Sequence, residues 1–206
     1  RVGQEEIPMM TETITIGRLI RSATAGFVFA CRVPEPEVPI FGAFVKAPAQ
    51  RNQTEVFGLI YNIAFTDDML VRQVAAAPDL PEAYIQDQRV NRQIPIEVSV
   101  LAVGYRNGGG LRYGLPPQPP ITLDRISTCA AAEVVEFTSR FDYLQTILNS
   151  PEAPADELIA VSLHTAADSR PPEERTRFLR EAGKELARLL SRDLARLENL
   201  LRRIKP

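Results

Sequence analysis

With 206 residues, 45% of them apolar and 24% charged, the chain has the composition of an ordinary folded protein, which excludes disorder and fibrous repeats. A chain of this length buries roughly 70% of the surface its unfolded form exposes, enough for one sizeable core with an appendage or for two smaller ones. A net charge of −2 excludes a uniformly basic nucleic-acid binder.

The apolar runs are interrupted well before the roughly 20 residues that a bilayer span requires. The amino end, RVGQEEIPMM, lacks the basic start and apolar run of a secretion signal. Cys31 and Cys129 lie far apart, with no CxxC pair and no disulfide framework, so they are expected to be small buried side chains in a cytoplasmic protein.

From residue 13 to residue 65 short β-branched and aromatic runs alternate with Gly and Pro. TITIGRLI, GFVFACRV, FGAFVKA and TEVFGLIYNIAF each predict a strand, with Phe27 and Phe29 on one face and Val28 and Ala30 on the other. Closely spaced short strands of this kind predict a barrel or a sandwich, with Gly17, Gly26, Gly42 and Gly58 where a tightly curved sheet bends. Asp67 predicts the cap of a short helix, DMLVRQVAAA, that ends before Pro78. Strand pattern returns over residues 96–105 and 111–113, and the intervening Asn107, Gly108, Gly109 and Gly110 predict a hairpin turn rather than an anion-binding nest. The proline-rich LPPQPPITLD then ends the β region as a stiff connector.

After Ser127 the apolar period lengthens. Val134, Phe137, Phe141, Leu144 and Leu148 predict one helix with a single apolar stripe. A second helix is expected over residues 155–167, and a third begins after Pro171 and Pro172 and runs to Ile204. Its stripe comprises Leu186, Leu190, Leu194, Leu197, Leu201 and Ile204, widened by Leu189 and Leu200. Such a stripe must be covered, by residues 134–148 or by another subunit. The expected fold is therefore α+β: an antiparallel β-barrel over residues 12–126 with a helical insertion at about 67–93, followed by a helical region over 127–206.

Ile16 and Gly17 with Phe27 and Phe29, then Phe41 and Gly42 with Phe44 and Val45, then VFGLIYNI, VLAVGY, the GGG turn and PPQPP together carry a resemblance. Residues 13–124 resemble the HAS barrel, the small domain preceding the motor in HerA-type DNA-translocating ATPases and in the rotary ATP synthase α and β subunits. In that family the barrel forms rings and docking surfaces while a P-loop motor performs the chemistry. Here helices follow the barrel, so the resemblance implies docking without ATPase activity.

No residue set predicts catalysis, a cofactor or a metal. The only Gly-Lys pair, Gly183 and Lys184, is followed by Glu185 and preceded by Phe178 where a P-loop has its first Gly. His164 is the single histidine and has no second ligand at helical spacing. Glu133 with Glu136, and Asp67 with Asp68, have the placement of solvated helix and cap residues.

One pattern stands apart. Arg180, Lys184, Arg188, Arg192 and Arg196 recur every four residues and predict a positive ridge beside the leucine stripe, partly neutralised by Glu181, Glu185 and Asp193. Residues 173–205 hold ten Lys or Arg against six Asp or Glu. The expected partner-binding residues are accordingly Arg180, Lys184, Arg188, Arg192, Arg196, Leu190, Leu194, Leu197 and Leu201. The expected role is that of a non-enzymatic scaffold or adaptor that docks on, or oligomerises within, a protein assembly. A nucleic-acid-associated accessory factor is the alternative.

Overall fold

The computed structural model describes residues 13–31, 39–65 and 96–205, together with the isolated positions 76, 81 and 83. Apart from those three positions, the predicted insertion at 67–93, its helix and the Asp67–Asp68 pair lie outside the described residues.

Seven strands form one antiparallel sheet among the described residues: β1 (Thr15–Ala23), β2 (Gly26–Cys31), β3 (Phe44–Ala49), β4 (Thr54–Phe65), β5 (Ile96–Asn107), β6 (Gly110–Tyr113) and β7 (Arg125–Thr128). Their order is β2-β1-β7-β3-β4-β5-β6, and β2 also pairs with β5, so six strands close into a barrel and β6 hangs on the outside of β5. Closure removes the free edges that an open sheet would present. The predicted strands are present, whereas β7 was not expected. It is four residues long and follows the proline run, yet it is the piece that joins β1 to β3.

The barrel interior is filled by alternate residues. Leu19, Phe27, Phe29, Val45, Val56, Ile60, Val98, Val100 and Ile126 all point inward, and none is more than 3% exposed. β1 must coil tightly over this core, and its pairing slips between Thr15 and Gly17 and again between Leu19 and Arg21. At Gly17 a Cβ would lie 2.4 Å from the Ala30 carbonyl oxygen, so only glycine lets β1 approach β2 this closely.

The wall made by β3, β4 and β5 is buried on its outer face as well. Phe44, Phe57, Leu59, Leu101 and Val103 point away from the barrel into a second core shared with the helices. That explains why residues 54–60 read as an almost continuous apolar run rather than an alternating one.

Among the described residues five helices follow: α1 (Ala131–Phe137), α2 (Tyr143–Leu148), α3 (Ala155–Asp168), α4 (Pro172–Leu189) and α5 (Leu194–Arg203); the first three lie against this wall, and α4 and α5 pack on α3. Phe137 is the keystone of the contact, with ring centroids of Phe57, Tyr113, Tyr143 and Phe44 at 5.1, 5.2, 5.6 and 6.0 Å. The Tyr113 hydroxyl donates to the Phe137 carbonyl at 2.7 Å, tying β6 to the end of α1.

Two helical expectations are corrected. The stripe from Val134 to Leu148 belongs to two short helices, because α1 ends at Thr138. There the Thr138 hydroxyl bonds the Val134 carbonyl at 2.6 Å, and Arg170 donates to the carbonyls of Val135 and Thr138. The helix expected to run unbroken to Ile204 is likewise interrupted at residues 190–193. Asp193 starts α5 by accepting a hydrogen bond from the Arg196 amide at 3.1 Å. The break lets α5 fold back, so that Leu186, Leu190, Leu197, Leu200 and Ile204 are all buried in the core they share with α3. The cover comes chiefly from α3 of the same chain, which was not the surface expected.

Candidate functional site

The residues expected to bind a partner divide into two groups in space. Leu190 and Leu197 are buried in the helical core. Leu194 and Leu201 are not: they are 70% and 38% exposed on the flank of α5. Seven residues apart, they stand on one line two turns long.

The basic residues divide as well. Lys184 pairs with Glu181 at 2.8 Å and Arg188 with Glu185 at 2.5 Å, both within α4 and both open to solvent. Arg196 leaves the ridge altogether and pairs with Asp156 of α3 at 2.7 Å, because the break at 190–193 rotates α5 away from the line of α4. Arg203 pairs with Glu157 next to it. These two contacts fasten α5 to the start of α3. Arg180 and Arg192 are exposed and make no ion pair among the described residues. The expected five-residue ridge is therefore Arg180, Lys184 and Arg188 on α4, with Arg192 in the turn below them.

The surface-exposed pairs hold these side chains only loosely, since exposed ion pairs contribute about 0–1 kcal/mol. A half-buried cluster of charge lies in a different place, where α1 meets the barrel. Lys46 of β3 bonds Glu133 of α1 and lies 3.1 Å from Glu55 of β4. Arg106 of β5 reaches Glu136 at 2.7 Å and Glu55 at 3.5 Å, and its guanidinium sits 5.2 Å from the Phe57 ring centroid.

A slip in the β4–β5 pairing at Phe57 and Gly58 inserts Val103 as an extra residue and turns Arg106 outward. Burial opposes the charge of Lys46, but the hydrogen bonds that its ammonium donates to Glu133 and Glu55 outweigh it and hold its pKa above the ordinary value. Burial likewise opposes the charge of Glu133, and the hydrogen bonds from Lys46 and from the Ala130 amide overcome it and hold the carboxyl below its ordinary value. Glu133 and Glu136 are expected to be solvated helix residues; Glu136 remains 58% exposed, whereas Glu133 is largely covered. Their partners, Lys46 and Arg106, come from two strands far away in the chain, which no local pattern announces.

The remaining candidates have structural roles. Cys31 lies in the barrel interior and Cys129 in the helical core, where burial pushes its thiol well above the ordinary range. His164 donates from Nε2 to the Arg203 carbonyl at 2.8 Å and so helps hold the end of α5. Gly108, Gly109 and Gly110 form the β5–β6 turn, closed by the Gly109 amide on the Asn107 side chain at 3.0 Å. Gly183 and Lys184 are in the middle of α4. Among the described residues no three His, Cys, Asp or Glu side chains gather as metal ligands would. No helix among them is long and apolar enough to cross a membrane.

Compared with known proteins, the chain matches no family model, and no curated protein matches it.

Proposed function

We propose that this protein is a non-enzymatic scaffold or adaptor, working in the cytoplasm, that docks onto or oligomerises within a protein assembly through its HAS-like barrel and its carboxyl-terminal helices. The observation that carries the reading is the flank of α4 and α5. Leu194 and Leu201 stand exposed there on a helix whose other large apolar residues are buried, with the exposed Arg192 two residues before Leu194. Exposed leucines clustered beside charge are the composition of an interaction surface more than of a solvated face. A fused barrel and helical core supports the same reading, because it holds that flank on rigid elements. Two buried cysteines suit a reducing compartment.

Binding of nucleic acid is the weaker reading, since Lys184, Arg188, Arg196 and Arg202 already face carboxylates. The test is affinity isolation of the tagged protein under native conditions, with mass measured by light scattering. A defined complex or a stable oligomer is expected, together with no turnover of ATP or GTP. Recovery of an isolated monomer, or of a complex dispersed by nuclease, would overturn the proposal.

A further inference from the structure

Asn107 is the only asparagine in the chain that is followed by glycine. It ends β5 opposite Gly110 of β6, and Gly108 and Gly109 turn the chain between them. Asn107 is half-buried, whereas Gly108, Gly109 and Gly110 are exposed. A Cβ built on Gly108 meets nothing within 4 Å, so no side chain crowds the peptide nitrogen that follows Asn107.

The carboxamide of Asn107 is held over this turn. Its Oδ1 accepts a hydrogen bond from the Gly109 amide at 3.0 Å. A Cβ at Gly109 would lie 3.3 Å from that same Oδ1 and 3.4 Å from Arg112 Nη2, so the amide oxygen and a guanidinium face one small space. Arg112 is exposed and makes no ion pair among the described residues, which leaves its charge available to the Asn107 oxygen. A backbone N–H and a cation placed at a carbonyl oxygen stabilise the oxyanion that forms when a nucleophile adds to the carbon. The nucleophile in reach is the Gly108 nitrogen, which closes a cyclic imide with the Asn107 side chain.

We infer that Asn107 is a site of self-modification, at which the turn converts its own amide into a carboxylate through that imide. Hydroxide takes the proton of the Gly108 amide, and the nitrogen electron pair forms a bond to Asn107 Cγ. The carbonyl pair moves onto Oδ1, where the Gly109 N–H and Arg112 meet it. As the carbonyl re-forms, the bond from Cγ to Nδ2 breaks, and Nδ2 takes a proton from water and leaves as ammonia. Water then opens the imide, at Cγ to give aspartate or at the backbone carbonyl to give isoaspartate. Water is consumed and ammonia released, with no oxidant or reductant. Either product sets a carboxylate beside Arg112 where a neutral amide had stood.

The test ages the full-length folded protein in mildly alkaline buffer made with heavy-oxygen water. Peptide mapping by mass spectrometry follows each asparagine, and enzymatic methylation counts isoaspartate. Asn107 should convert before any other asparagine, and its product should carry a heavy oxygen. The folded protein should react at least as fast as the same chain in denaturant. Arg112→Gln should slow the folded protein roughly two- to fivefold, the worth of one exposed charge contact, and leave the denatured chain unchanged. Gly108→Ala should slow both, because its methyl crowds the attacking nitrogen while meeting nothing else in the fold. Both substitutions are at exposed positions, so melting curves should show both variants folded.

Slower conversion in the folded protein than in the denatured chain overturns the inference, because the turn would then protect Asn107 rather than activate it. Another asparagine reacting first, or equal rates in folded R112Q and the folded parent, overturns it also.

Discussion

The guanidinium of Arg170 lies over the ring of Phe178, 3.7 Å from its centroid, while Nη2 donates to the Thr138 hydroxyl at 2.8 Å and Nη1 to the Ala166 carbonyl at 2.6 Å. At 6% exposure this cation has no carboxylate bound to it among the described residues. It is held instead by carbonyls at the ends of α1 and α3, where helix dipoles favour positive charge, and by the face of an aromatic ring. Desolvation lowers its pKa, and Tyr143 and Glu174 oppose that shift. One side chain thus joins α1, α3 and α4.

Replacing Arg170 with Met should destabilise the protein by about 2–4 kcal/mol, because several buried carbonyls lose their donor at once. Arg170→Lys should restore little, since an ammonium lacks both the planar fork and the stacking surface. Thermal melts of the two variants decide this; a melting temperature in R170M equal to that of the parent would contradict the arrangement.

The Lys46–Glu133 pair fixes how docking of α1 depends on pH. Glu133 titrates below its ordinary 4.5, so its contribution is full above that value and is lost as pH falls through the lowered folded-state pKa. Lys46 titrates above its ordinary 10.5, so its contribution is full below that value and is lost as pH rises through the raised one. Stability from this pair should therefore be flat between those limits. Glu133→Gln should cost about 1–3 kcal/mol at neutral pH and flatten the acid limb of a denaturation series. An acid limb as steep as the parent's would assign the dependence to other carboxylates.

Gly42 ties the loop before β3 to α3. Its φ of +81° is one that side chains rarely adopt, and a Cβ there would lie 2.4 Å from Val161 Cγ1. Its amide also donates to the Ile60 carbonyl at 2.8 Å. Gly42→Ala should cost about 2 kcal/mol or more through strain and overpacking together. Chemical denaturation is the measurement, with Gly108→Ala as the control, since a Cβ at Gly108 meets nothing within 4 Å.

The leucines of α5 separate folding from binding. Leu197 is 9% exposed and Leu194 70% exposed, so Leu197→Asp places a charge in the helical core and should lower the melting temperature by several degrees. Leu194→Asp should leave it within about 2 degrees, in keeping with the small effects of surface substitutions. A large drop in the Leu194 variant would mean that this side chain is covered in the free protein.

Much of the architecture was written locally. Phe27 and Phe29 against Val28 and Ala30 announced β2, the Asn107 to Gly110 run announced the hairpin, and Pro171 and Pro172 announced the start of α4, since period and turn chemistry act over a few residues. The missed features each depend on distant partners. Strand β7 is too short to show alternation and exists because β1 and β3 offer it hydrogen bonds on both sides.

The ends of the helices followed the same division. The leucine stripe runs straight through residues 190–193 and predicts one unbroken helix, whereas Asp193 caps a new one there. The sequence by itself determined that residues 186–204 must bury leucines, because that much apolar surface is too costly to leave in water. Only the tertiary structure decided that the chain would break at Asp193, fold α5 back onto α3 and α4, and leave Leu194 and Leu201 outside. That choice is set by which surfaces lie within reach of the folded core, and no window of sequence contains it.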